Sequence, residues 1–131
     1  MDTAILVDEL NKRAFDLVKT LNEKHFVFTV AALMKNEDAE DWYIVLGIPN
    51  LRVTGSRPAL IDLYDIITES NLTQDNFILT LNDIKLLDDK DDLFNLLRLK
   101  FNPNPEVLRI PFTGNYIKGV RIPDSIIYQI K

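Results

Sequence analysis

The chain has 131 residues, of which 47% are hydrophobic and 27% charged, and it contains no cysteine. This length and composition are typical of one globular domain, residues 1–131. The lack of cysteine excludes disulfides, zinc–thiolate sites and cysteine nucleophiles. The apolar stretches are less than half of the ~20 residues that a membrane helix needs, and no basic region precedes an apolar one at the N-terminus. We therefore expect a cytoplasmic protein without a membrane partner.

The net charge of −5 is distributed unevenly along the chain. Residues 35–92 carry thirteen acidic and five basic side chains, whereas residues 93–131 carry two acidic and six basic ones. The overall acidity disfavours a nucleic-acid partner, because such binding relies on neutralising phosphates. The two oppositely charged regions are expected either to attract each other, within one molecule or between two copies, or simply to be solvated surfaces.

The first half of the chain predicts a helix followed by a central hairpin. Residues 3–22 place apolar side chains at spacings of three and four, as an amphipathic helix does. Residues 26–34 and 42–48 are apolar runs rich in β-branched and aromatic residues, and the polar link 35–41 joins them. Such runs are typical of strands buried on both faces. We expect this hairpin to form the centre of the sheet, with Trp42 buried on it.

The segment after the hairpin combines a glycine-bearing loop with the start of a helix. Ser56 is a good N-cap, and Pro58 suits the first turn of a helix that continues to about residue 70. Free backbone N–H groups at such a helix start can bind an anion, and Arg52 and Arg57 would add charge-assisted hydrogen bonds. Arg52, Ser56 and Arg57 are therefore the candidate ligand-binding residues. The alternative is a capped helix with two solvated arginines.

The second half predicts four strands and a further helix. The helix is expected over residues 89–99, where the preceding acidic residues favour a helix start. Gly119 is interpreted as a bulge, and prolines fix an extended linker at 101–105. The strands are expected at residues 77–81, 107–112, 116–122 and 125–130. The fold class is thus α+β: a single domain with a mainly antiparallel sheet of about six strands and three helices, in the order α-β-β-α-β-α-β-β-β.

No residue set in the sequence predicts catalysis, a metal or a cofactor. His25 is the only histidine, so histidine-rich metal sites and cysteine–histidine catalysis are excluded. Asp83-x-Lys85 resembles the last element of the metal-dependent restriction-type nuclease motif. That motif also needs an acidic residue at the end of a neighbouring strand, and the strand ending at Pro49 has none.

Two functions follow as expectations from these observations. The first is a non-enzymatic protein-interaction module, such as an accessory subunit or a homodimer. It would use a face of the sheet that the helices leave uncovered. The second is a small domain or enzyme that binds an anionic or phosphorylated ligand through Arg52, Ser56 and Arg57.

Overall fold

The computed structural model describes residues 3–36, 41–70, 79–114 and 116–131. Its helices are α1 (Thr3–Glu23), α2 (Leu51–Thr54), α3 (Arg57–Glu69) and α4 (Asp92–Lys100), with a short 3₁₀ helix at Leu81–Asp83. Its strands are β1 (Val30–Lys35), β2 (Trp42–Ile48), β3 (Ile84–Asp88), β4 (Ile110–Phe112), β5 (Tyr116–Ile117), β6 (Val120–Arg121) and β7 (Ser125–Ile130). None of the helices in these ranges has both the length and the apolar content needed to cross a bilayer.

Five strands form one mixed sheet in the order β3-β2-β1-β7-β4, and β5 and β6 form a separate ribbon. The β1–β2 hairpin lies inside the sheet, as the sequence predicts. All neighbours in the sheet are antiparallel except β2 and β3, which are parallel. A parallel pair needs a crossover, and the chain supplies it with α2 and α3. The α+β class is confirmed, while the mainly antiparallel six-stranded sheet with three helices is matched only roughly.

Both faces of the central strand β1 are covered. Ala31 and Leu33 pack into a core with α1 and α3. Val30, Ala32 and Met34 point to the other face and pack with α4 and the β5–β6 ribbon. All five side chains are fully buried. An uncovered sheet face was the basis for expecting an interface there, and the described residues leave neither face of β1 uncovered.

Three of the predicted strands begin later than the sequence suggests, and the one expected over residues 107–112 is limited to Ile110–Phe112. The first begins at Val30 rather than at residue 26, since His25 turns the chain with a positive φ of 58°. The predicted strand 77–81 lies partly outside the described residues, and from Leu79 onward it is not a strand. Instead, Thr80 and Asp83 form a capping box, in which the Thr80 backbone N–H donates to Asp83 at 2.9 Å. This polar pairing favours a 3₁₀ turn, and the strand forms at Ile84–Asp88.

The predicted strand 116–122 is in fact a hairpin. Lys118 and Gly119 both have positive φ, 49° and 76°, which is the pattern of a type I′ turn between β5 and β6. The interpretation of Gly119 as a bulge is therefore wrong. The last strand, Ser125–Ile130, is confirmed, but it lies between β1 and β4 inside the sheet.

Trp42 is only partly buried, where full burial was expected. It is the first residue of β2 and pairs with Lys35 at the open end of the hairpin, while the fully buried part of β2 begins at Ile44. Its ring packs against the core on the α1 and α3 side. Among the described residues, the aromatic side chains that are fully buried are Phe28, Phe94 and Tyr128.

Candidate functional site

Asp88, at the end of β3, lies beside the predicted site residue Arg52. Its carboxylate is where the sequence predicts a bound anion. One carboxylate oxygen accepts the backbone N–H of Arg52 at 2.8 Å, and the other accepts that of Lys90 at 2.9 Å. The Arg52 Nε lies 3.9 Å from the same carboxylate. The backbone hydrogen bonds from Lys90 and Arg52 hold the pKa of Asp88 below its ordinary value, with a smaller opposing effect of burial. The chain's own carboxylate thus supplies the negative charge that this end of the loop attracts.

Ser56 and Arg57 lie apart from this ion pair. Both are exposed, and the Ser56 side chain makes no capping hydrogen bond although it precedes the first residue of α3. They line a cavity of about 340 Å³ together with Leu60, Ile61, Tyr64 and Leu81. Arg52 is not among the lining residues. Of the three predicted site residues, the fold therefore brings two together at the start of α3 and turns the third towards Asp88.

An exposed apolar surface lies along α3, and we call it the α3 face: Leu60, Ile61, Tyr64 and Leu81. Ile61 is 52% exposed and Tyr64 is 59% exposed, while Leu60 and Leu81 are half-buried. A second cavity of about 420 Å³ continues the surface towards Ile67, Thr68 and residues 79–82. The two cavities share Tyr64 and Leu81, so they form one strip. The buried stripe of the same helix is Leu63, Ile66 and Ile67.

Acidic side chains flank the α3 face. Asp62, Asp65 and Glu69 are exposed and recur at spacings of three and four, which places them in one row along α3. We call them the acidic row. Asp65 follows Ile61 by four residues, so the row adjoins the apolar strip directly. Asp62 and Asp65 also line a third cavity, of about 510 Å³, whose other wall carries Lys24 and His25.

A polar network around Asp89 has a structural role. The Thr29 hydroxyl and the Arg98 guanidinium both donate to the Asp89 carboxylate, and Arg98 also donates to its backbone carbonyl at 3.0 Å. Burial raises the pKa of Asp89, but these two hydrogen bonds and the charge of Arg98 outweigh it, so the pKa lies below its ordinary value. The network joins α4 to the segment before β1, and each of its members has its partner inside the protein.

Asp83 and Lys85 of the nuclease-like triplet contact neighbouring residues, and His25 lines the third cavity beside Lys24. The Asp83 carboxylate accepts the backbone N–H of Thr80 and serves as a cap. The Lys85 ammonium lies 5.4 Å from the centre of the Tyr43 ring. Over the described ranges, no group of three or more histidine, aspartate or glutamate side chains is arranged to hold a metal ion.

Comparison with known proteins returned no matching family model, no similar curated protein and no similar solved structure. The chemistry of the chain's own surface is therefore the basis for inferring its function. Within the described residues, the α3 face and its acidic row place exposed apolar side chains beside carboxylates.

Proposed function

We propose that the chain is a non-enzymatic protein-interaction module that binds its partner through the α3 face. The observation that carries this proposal is the exposure of Ile61 and Tyr64 side by side, next to the half-buried Leu60. Contiguous apolar surface of this kind is typical of interaction sites, and a central tyrosine is a frequent source of binding energy. Two of the neighbouring cavities already give the strip a concave outline.

The charges around the strip define the chemistry of the partner. The acidic row runs along one side, and the whole region 35–92 carries eight more acidic than basic side chains. A complementary partner presents an apolar row beside a basic one, as a basic amphipathic helix or hairpin does. The acidic row contributes mainly to the association rate and to selectivity, while the buried apolar side chains contribute affinity.

An NMR titration with a model peptide tests this function. We expect an amphipathic helical peptide of leucine and lysine to shift the backbone resonances of α3, while a leucine–glutamate peptide of the same pattern does not. The double variant Ile61→Ser/Tyr64→Ser should lose these shifts without loss of stability, because both side chains are exposed.

Leu99→Ser/Leu108→Ser is the matched control, since it removes two exposed leucines from elsewhere on the surface. It should bind the leucine–lysine peptide like the wild type. Equal shifts with both peptides, or shifts spread over the whole molecule, would contradict a specific site on α3.

Anion binding through Arg52, Ser56 and Arg57 is the second candidate function, and its support is the exposed start of α3 with Arg57 beside a cavity. Asp88 competes with any external anion for Arg52. We therefore expect phosphate to raise the melting temperature only weakly, and Arg52→Ala/Arg57→Ala to abolish that rise. Lys12→Ala/Lys24→Ala removes the same charge elsewhere and controls for general salt effects. A large and saturable rise of the wild-type melting temperature with phosphate would instead favour anion binding over the protein-interaction function.

A further inference from the structure

We infer that the third cavity, between the end of α1 and α3, binds a short peptide with two free termini and apolar side chains. The cavity has a volume of about 510 Å³, which lies within the range of small-molecule sites. One wall is formed by residues 24–27, and the other is α3, which contributes Asp62 and Asp65. This ligand goes beyond the proposed function, although Asp62 and Asp65 belong to both sites.

The two walls of the cavity differ in polarity and do not neutralise each other by contact. Asp62 and Asp65 line one side, whereas Lys24 and His25 line the other. Within the described part of the chain, none of these four side chains takes part in a salt bridge or a hydrogen bond. A ligand that satisfies both walls therefore carries a positive group at one end and a negative group at the other.

The residue types on the two walls suit the two termini of a peptide. Asp62 and Asp65 are three residues apart on one helix, so about 5–6 Å separates their Cβ atoms and their like charges repel. An ammonium group between them relieves this repulsion and donates up to three hydrogen bonds. On the other wall, the Lys24 ammonium and an imidazole N–H of His25 are donors for a carboxylate. A peptide with free termini carries both groups at neutral pH.

The remaining lining of the cavity is mainly apolar, and it defines the side chains and the length of the ligand. Ile48 and Ile66 are buried, Phe26 and Ala59 are half-buried, and Val27 is 67% exposed. Such a lining suits apolar side chains. An extended chain adds about 3.5 Å per residue, so two or three residues separate the terminal charges by about 7–10 Å. A single amino acid carries both charges on one carbon atom and does not span the two walls.

Both walls are held in place by the fold before a ligand binds. After the end of α1, His25 turns the chain with its positive φ of 58°. The His25 N–H donates to the Asn22 carbonyl at 3.2 Å, and the Phe26 N–H donates to the Leu21 carbonyl at 2.9 Å. The α3 wall is anchored to the core by the buried stripe of that helix. Preformed walls reduce the entropy that is lost on binding.

An NMR titration with the dipeptide leucyl-leucine and two blocked forms of it tests this inference. We expect the free dipeptide to shift the backbone resonances of residues 24–27 and of α3, and to saturate at millimolar concentration or below. N-acetylation removes the ammonium group and C-terminal amidation removes the carboxylate. Each should weaken binding about fivefold, the effect of losing one exposed charge pair. Equal binding of all three forms, or no shift at millimolar concentration, would overturn the inference.

Two charge variants show which wall binds which terminus, and both change only exposed side chains. With Lys24→Gln, the dipeptide and its amide should bind nearly equally, while acetylation still weakens binding. With Asp62→Asn/Asp65→Asn, the dipeptide and its acetylated form should bind nearly equally, while amidation still weakens binding. Lys100→Gln removes the same charge as Lys24→Gln outside the cavity and should behave like the wild type. Variants that both keep the wild-type pattern would contradict this site.

The outcome for the proposed function is read separately, from the leucine–lysine peptide. If the dipeptide leaves residues 24–27 unshifted while the leucine–lysine peptide shifts α3, the cavity site is refuted and the interaction function stands. If the dipeptide binds with the expected pattern and the leucine–lysine peptide has no effect, the cavity site stands and the interaction function fails.

Discussion

Replacing Tyr128 by alanine is expected to lower the free energy of unfolding by about 3–5 kcal/mol. Tyr128 is a fully buried residue of β7 and one of the largest side chains in the core. Its ring packs edge-on against Phe15 of α1 at 6.4 Å, and its hydroxyl donates to the Asn11 side chain at 2.7 Å. Truncation therefore removes apolar contacts, leaves a cavity between α1 and the sheet, and deprives Asn11 of a partner. Urea titration measures the loss.

Tyr128→Phe separates the hydrogen bond from the packing. It keeps the ring and should cost only about 1 kcal/mol, the usual value for one hydrogen bond. An alanine variant no less stable than the phenylalanine variant would mean that the ring is not a core anchor.

Because Tyr128 is buried, we also expect the protein to lose stability at alkaline pH. Burial raises the pKa of Tyr128, and the positive charge of Arg109 lowers it by less, so the folded-state pKa lies above the ordinary value of 10.0. The folded protein then holds the proton more tightly than the unfolded chain. This contribution is complete below about pH 10 and is lost as the pH rises towards the folded-state pKa. Tyr128→Phe should weaken the decline, which thermal unfolding at a series of pH values measures.

The elements that the sequence predicts best are those with local signals. The β1–β2 hairpin follows from two apolar runs and a short polar link, and α3 follows from Pro58 in its first turn and from its periodic leucines and isoleucines. The strand β3 is missed because the run 77–81 is more apolar than Ile84–Asp88, while the capping pair Thr80–Asp83 acts against a strand. Its parallel pairing with β2 depends on a crossover, which no local pattern encodes.

The candidate site is predictable only in part, and the reason is sequence distance. Arg52 can be chosen from its position before α3, but its partner Asp88 is 36 residues away at the end of strand β3. The α3 face has a signal that was available: Ile61 and Tyr64 fall outside the stripe of Leu63, Ile66 and Ile67. They widen the apolar side of α3 beyond that stripe, which is the sequence signal of an exposed apolar surface. Which side is buried still depends on how α3 packs on the sheet.

Replacing Gly47 by alanine is expected to lower the free energy of unfolding by about 1–3 kcal/mol, although the change adds only one methyl group. Gly47 lies in β2, and a Cβ atom there would meet the Phe94 ring at 2.9 Å and the Thr29 hydroxyl at 3.0 Å. Neither neighbour can move easily, since Phe94 is fully buried and Thr29 is held by Asp89. In an extended strand without such contacts, glycine to alanine would instead be neutral or stabilising, because it reduces the entropy of the unfolded chain.

A double-mutant cycle identifies the contact that causes the loss. Phe94→Leu shortens the side chain that the new methyl group meets and costs stability by itself, since it leaves unfilled space under α4. In that background Gly47→Ala should fill part of the space, so the double variant should be more stable than the sum of the two losses by about 1 kcal/mol or more. Additive losses would mean that the methyl group acts on Thr29 and the backbone rather than on Phe94. A stabilising Gly47→Ala in the wild type would show that β2 and α4 do not pack as closely as the fold requires.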